Sequence, residues 1–168
     1  MTMPTPNIEN SAFWEYSVSR YTKGDMAALA LLLQDNHKVN VNVLLLICWC
    51  LENNVVINLP QLKAVIVASK ATEEKLTQHR AQRRAASPEK GGDQSGYNAL
   101  KAQELALERQ QQQDIVASFN EQAVTHLGQQ TPSTNIFNAS IAAFINAYGL
   151  RDNNEARQLV SFVVKQLS

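Results

Sequence analysis

Apolar side chains recur along the chain at intervals of three and four residues, the spacing that gathers them on one face of an α-helix. The pattern predicts seven helices. The first five lie at residues 11–23, 25–35, 41–53, 59–86 and 97–127, the sixth opens at residues 131–132, and the seventh opens with a capping-box pattern at residues 152–155. The third is the most apolar, which is typical of a core helix. The predicted fold class is therefore all-α, a single-domain bundle of about seven helices.

Polar residues at the expected helix starts support these boundaries. Asn10, Asn40 and Asn58 precede the first, third and fourth helices, where a short polar side chain can accept a hydrogen bond from a free backbone N–H. Asn58 and Gln61 have the spacing of a capping box, and Pro60 falls in the first turn, where its missing N–H costs little.

The chain is predicted to hold one domain, preceded by a flexible leader at residues 1–9. The domain, residues 10–168, is expected to comprise an apolar helical nucleus at 10–86, a flexible linker at 87–96 and C-terminal helices at 97–168. The linker holds three of the six glycines and one of the five prolines, a composition typical of loops.

Charge and hydropathy limit the partners. Lys and Arg number 15, as do Asp and Glu, so the net charge is zero, which argues against nucleic acid as a partner. The start of the chain shows no secretory signal, and the uncharged run at residues 39–51 would reach only ~20 Å as a helix, short of a ~30 Å bilayer core. We therefore expect a cytoplasmic protein that does not engage a membrane.

Cys48 and Cys50 invite a metal-site interpretation, but side chains two positions apart on a helix point about 200° away from each other. They are better interpreted as small core residues. The sequence shows neither a glycine-rich phosphate loop nor an HExxH motif. We therefore assign no catalytic residue, no metal ligand and no cofactor, and do not expect an enzyme.

Residues 70–84 carry a local charge of +3, from five basic and two acidic side chains: Lys70, Lys75, Arg80, Arg83, Arg84, Glu73 and Glu74. The segment could contact nucleic acid, or it could be a solvated helix end whose cations complement the helix dipole. No aromatic side chain lies within it to stack on bases, which favours the solvated helix end.

Aromatic and polar side chains are concentrated on the first three predicted helices: Trp14, Tyr16, Tyr21, Gln34, Asp35, Asn42 and Trp49. They could fill the core and tie the interhelical turns, since aromatic residues at helical spacing usually pack inside. They could instead line a groove between the first and third helices and bind a ligand. These seven are the candidate ligand-binding residues, and both interpretations stay open.

Two functions follow from these patterns. The first is a non-enzymatic protein-interaction module, in which the glutamine-rich amphipathic helix at 97–127 offers an apolar face to an unidentified protein partner or to a second copy of the chain. The alternative is a binder of a small apolar ligand, or an enzyme acting on one, with the ligand in the groove between the first and third helices.

The motif FWEYS at residues 13–17, together with Tyr21, LLQD at 32–35, VNVLLL at 41–46 and Trp49, resembles a family of uncharacterised proteobacterial proteins of this length, a domain of unknown function. The resemblance implies an all-helical cytoplasmic protein and supplies no activity, cofactor or substrate.

The chain departs from that family's pattern in one turn. In the resembling proteins a glycine usually stands at the position of Lys38, and an acidic residue at the position of Asn40. The resemblance therefore gives no support to an acid–base role for this turn.

Overall fold

The computed structural model describes residues 7–127 and 133–167, with the backbone alone at residues 133–138. Within these residues the chain forms seven α-helices: α1 (Asn10–Tyr21), α2 (Met26–His37), α3 (Val41–Glu52), α4 (Leu59–Ala85), α5 (Gln94–Glu121), α6 (Ser133–Ala147) and α7 (Asn154–Lys165). The all-α prediction is confirmed. The predicted opening of the sixth helix at residues 131–132 lies outside the described residues.

α3 runs through the centre of the fold, because α1, α2, α5 and α6 all pack against it. Every residue from 42 to 48 is buried, so the uninterrupted apolar run needs no solvent-facing stripe. Phe13 of α1, Leu33 of α2 and Phe119 of α5 are fully buried around it. The predicted core helix is thus the helix around which α1, α2, α5 and α6 pack.

The predicted caps of two helices are present. The Oδ1 of Asn40 accepts a hydrogen bond from the Val43 N–H at 3.0 Å. The Oδ1 of Asn58 accepts from the Gln61 N–H at 2.9 Å, while Gln61 Oε1 accepts from the Asn58 N–H at 3.0 Å, which completes the capping box. The prediction for α1 was wrong: Asn10 is already helical, and Glu9 precedes the helix without a side-chain cap.

α4 and α5 form a long antiparallel hairpin. His79 Nε2 lies 2.6 Å from the Leu100 carbonyl oxygen, and Arg83 donates to the Tyr97 hydroxyl at 3.3 Å, so later residues of α4 meet earlier residues of α5. Helices of 27 and 28 residues are each about 40 Å long. α1 packs beside the hairpin, along α5.

The linker region is shorter than predicted. Pro88–Lys90 forms a 3-10 turn, and the Gly92 N–H donates to the Ser87 carbonyl oxygen at 3.0 Å. α5 begins at Gln94, three residues before its predicted start, because Asp93 Oδ2 accepts from the Gly96 N–H at 3.0 Å and caps it. The predicted mobility of residues 87–96 stays a prediction.

A small β-ladder replaces two predicted features. Val55–Val56, expected in a connection, pairs antiparallel with Thr125–His126, expected at the end of the fifth helix. Val55 is fully buried, and its carbonyl oxygen accepts a hydrogen bond from Ser140 Oγ at 3.3 Å. A buried backbone needs such partners, and two distant segments supply them to each other.

The first described residues are packed against the domain. Ile8 is buried, its N–H donates to Asn120 Oδ1 at 3.0 Å, and its carbonyl oxygen accepts from Asn120 Nδ2 at 3.0 Å. The packed part of the chain therefore begins inside the segment predicted as a leader. Residues 1–6 of that segment lie outside the described residues.

Lys38 ends α2 in the left-handed conformation, with φ +58° and ψ +30°, and the Val39 N–H then donates to the Leu33 carbonyl oxygen at 3.2 Å. A residue other than glycine costs about 1–2 kcal/mol in this conformation. Replacement by glycine removes that cost but loses part of the gain, because glycine gives up more backbone entropy on folding. We expect Lys38→Gly to raise the free energy of unfolding by about 0.5–1 kcal/mol in urea denaturation.

Asn54→Gly is the matched control, because Asn54 also has a positive φ, of 56°, and asparagine tolerates that conformation. It should gain clearly less than Lys38→Gly. A loss of stability in Lys38→Gly would contradict the strain argument.

Candidate functional site

A cavity of about 380 Å³ lies between α1, α2, the start of α3 and the α4–α5 hairpin. Four of the seven candidate residues line it: Trp14, Tyr21, Gln34 and Asn42. The guanidinium of Arg109 lies over the Trp14 indole, 4.5 Å from the ring centroid, and stabilises the position of this side chain. The predicted groove between the first and third helices is thus one side of a cavity that α4 and α5 complete.

The other three candidates do not line the cavity. Asp35 is exposed on α2, and Trp49 packs edge-on against Phe119 with ring centroids 5.7 Å apart. Tyr16 lies on the other side of α1, beside the ion pair of Arg20 with Glu52, and burial raises the pKa of its hydroxyl. Trp49 and Tyr16 therefore fit the core interpretation.

The floor of the cavity is an amide cluster, consisting of Asn42, Gln111 and Gln112. Asn42 Nδ2 donates to Gln111 Oε1 at 2.8 Å, and Asn42 Oδ1 accepts from Gln112 Nε2 at 3.1 Å. Gln111 Nε2 also donates to Glu73 Oε2 at 3.0 Å and to the Ser69 carbonyl oxygen at 3.2 Å. Amide groups that both donate and accept can close such a network in a buried place.

Two buried polar atoms of residues that line the cavity lack a hydrogen-bond partner among the described residues. They are Gln112 Oε1 and Ser17 Oγ, whose residues are 3% and 4% exposed and line the cavity. An unpaired buried polar group costs about 1–3 kcal/mol, so such atoms call for an explanation. Both side chains line the cavity, so a small rotation of either would let its polar atom pair with a polar group of a molecule there.

The wall formed by α4 and α5 is charged. Arg80 is 14% exposed and lies 3.5 Å from Glu73, 3.6 Å from Glu104 and 3.9 Å from Glu108, while Arg83 Nε lies 2.7 Å from Glu104. The interpretation of residues 70–84 as a solvated helix end was therefore wrong for Arg80 and Arg83. Tertiary packing brings the carboxylates of α5 against them.

Glu108, Tyr21 and Arg83 are the titratable cavity residues whose pKa shifts, in each case upward. Burial raises the pKa of the Glu108 carboxyl, the Arg80 guanidinium lowers it, and the neighbouring Glu104 and Glu73 raise it again. Burial also raises the pKa of the Tyr21 hydroxyl, and Glu108 adds to that rise. The cavity thus disfavours additional negative charge on its own side chains.

The mouth of the cavity is apolar. Val18 of α1, Leu31 of α2 and Leu105 of α5 line it and are 48%, 43% and 50% exposed. Three large apolar side chains left half in water around one opening form a surface that a ligand would cover. Sequence reasoning missed all three, because helical periodicity assigns apolar residues to the core.

The cysteines have packing roles. Both thiols are buried, and burial raises the pKa of Cys48 to about 12 and raises that of Cys50. A thiol held protonated is a poor nucleophile and a poor metal ligand. In the described part of the chain, no three His, Cys, Asp or Glu side chains come together as a metal site.

A family profile described as a protein of unknown function, DUF2390, matches residues 12–115. The match covers more than half of the chain, so the chain belongs to this family and the predicted resemblance to a domain of unknown function is confirmed. The matched range includes every residue that lines the cavity. No curated protein and no solved structure matches the chain. None of the helices in the described ranges is long and apolar enough to cross a membrane.

Gln111→Ala tests the amide cluster. The change removes three hydrogen bonds and leaves the Asn42 amide without its acceptor in a buried place. We expect the free energy of unfolding to fall by about 2–4 kcal/mol in urea denaturation. Gln113→Ala, at an exposed position of the same helix, should change it by under about 0.5 kcal/mol. Equal effects of the two changes would contradict the assigned network.

Glu108→Gln tests the charged wall. A carboxyl whose pKa is higher folded than unfolded binds its proton more tightly when folded, so wild-type stability falls as pH rises through the interval between the two values. We expect the variant to be more stable than wild type at pH 7 by under about 1 kcal/mol, since solvent reaches 36% of this side chain.

The gain should shrink as the pH falls from 7 through the raised folded pKa and should be lost below the ordinary carboxyl pKa, and thermal melts at several pH values measure it. Glu74→Gln, at an exposed position, is the control and should give no such pH-dependent gain. A Glu108→Gln variant less stable than wild type at pH 7 would contradict the prediction.

Proposed function

We propose that this protein binds a small ligand with an apolar body in the cavity between α1, α2, α3 and the α4–α5 hairpin. The observation that carries the proposal is the combination of an apolar mouth with two unpartnered polar atoms beneath it, Ser17 Oγ and Gln112 Oε1. Ligand sites combine apolar lining with a few placed polar groups in this way.

The size of the cavity supports a small molecule. Its volume of about 380 Å³ falls in the range of roughly 300–1,000 Å³ that is usual for such sites. Leu31 and Leu105 lie on different helices, so a ligand between them would remove both from water at once. Burial of each apolar side chain would add to affinity.

The protein-interaction hypothesis has less support than the ligand-binding hypothesis. It depended on an unused apolar face of the fifth helix, yet Ile115 and Phe119 of α5 are fully buried inside this domain. Leu105 is the large apolar side chain of α5 that is half exposed, and it lies at the cavity mouth. A protein or self-association partner and a cytoplasmic location stay predictions.

Fluorescence tests the proposal with the neutral apolar probe 1-N-phenylnaphthylamine. In Trp49→Phe, Trp14 is the one tryptophan left of the two in the chain, and it lines the cavity. We expect saturable 1:1 binding with energy transfer from Trp14 to the probe.

Leu31→Ser should weaken this binding by about tenfold, since it removes apolar surface that the probe would cover. Leu32→Ser is the matched control, because Leu32 is on the same helix and 45% exposed but does not line the cavity. Absence of binding, or equal loss in both variants, would refute the cavity as the site.

A further inference from the structure

The charged wall holds one guanidinium that is partly buried but loosely paired. Arg80 is 14% exposed, and its three carboxylate contacts measure 3.5, 3.6 and 3.9 Å. Charge-assisted N–H···O bonds are usually about 2.7–2.9 Å long. Glu104 is instead bound closely by Arg83, at 2.7 Å. Arg80 therefore keeps N–H donors available to a further oxygen ligand.

A second guanidinium stands one turn further along α4. Arg84 lines the same cavity, is exposed, and forms no ion pair within the part of the chain that the structure describes. Residues four apart share a helix face and are separated by about 6 Å along the axis. Arg80 and Arg84 thus extend from the same face of α4 and line the same cavity, Arg80 partly buried and Arg84 exposed.

We propose that the ligand is an amphiphile with a carboxylate or phosphate group, and that Arg80 and Arg84 bind this group. This inference rests on the proposed function, since the apolar part of the ligand would lie against Val18, Leu31 and Leu105. A guanidinium group forms paired, charge-assisted hydrogen bonds with the oxygens of a carboxylate or phosphate. An alcohol carries no negative charge and an amine is cationic, so neither can form such a pair.

Glu108 competes with such a ligand. Glu108 lines the cavity, and its Oε1 lies 3.9 Å from Arg80. An anion bound to Arg80 would therefore be repelled by this carboxylate. Repulsion between like charges in a partly buried place weakens binding. Removal of the Glu108 charge should therefore strengthen binding of an anion and leave binding of a neutral molecule unchanged.

Four probes with the same eight-carbon chain separate the possible head groups: octanoate, octyl phosphate, octan-1-ol and octylamine. Each is titrated by calorimetry into the full chain. We expect octanoate or octyl phosphate to bind at least tenfold more tightly than octan-1-ol and octylamine, and the stronger of the two identifies the anion. Acetate and inorganic phosphate alone should bind at least tenfold more weakly than their octyl counterparts.

Arg84→Gln is the principal variant, because its position is exposed and the fold does not depend on it. It should weaken binding of the preferred anion about tenfold and leave octan-1-ol unchanged. Lys75→Gln removes a cation from an exposed position of the same helix outside the cavity and should change neither. Glu108→Gln should strengthen binding of the anion several-fold.

The outcomes separate the two proposals. If the neutral naphthylamine probe binds at the cavity but octan-1-ol binds as tightly as octanoate and octyl phosphate, the anion proposal is wrong and the proposed function stands. Equal losses in Arg84→Gln and Lys75→Gln would overturn the anion proposal as well. If neither the naphthylamine nor any octyl probe binds, both proposals fall.

Discussion

The hydrogen bonds of Asn42 hold α3 and the α4–α5 hairpin in register. Asn42 lies in the first turn of the most buried helix, and its amide group donates to Gln111 and accepts from Gln112. In a site with little water, an amide that shifted along α5 would lose partners on both sides. Apolar packing alone would tolerate such sliding, because neighbouring apolar rows are similar in shape. The amide cluster therefore fixes where the α4–α5 hairpin rests on α3.

The cavity is a consequence of that register. With the hairpin fixed at Gln111, the preceding turns of α5 bring Glu108, Leu105 and Glu104 opposite α1, and the antiparallel α4 brings Arg80 beside them. Full closure of α1 and α2 onto this wall would bury its charged groups further beside apolar side chains, which is costly even for paired charges. The result is an opening with polar, charged and apolar parts, which suits an amphiphilic molecule.

The sequence by itself determined the helical content, the central helix and several of its ends. The apolar run of α3 and the caps at Asn40 and Asn58 act within a few residues, so local spacing is enough to predict them. Four of seven candidate site residues could be found in the same way, because α1, α2 and the start of α3 are near one another in the chain and pack together.

Only the tertiary structure decided the rest, because the decisive partners are 24 to 70 residues apart in the sequence. Gln111 and Gln112 interrupt the apolar stripe of α5 and look like solvent-facing residues until Asn42, 69 and 70 positions earlier, is placed against them. Arg80 looks solvated until the Glu104 and Glu108 carboxylates face it. Local periodicity reports which face of a helix is apolar, whereas the pairing of polar groups depends on which helix lies opposite.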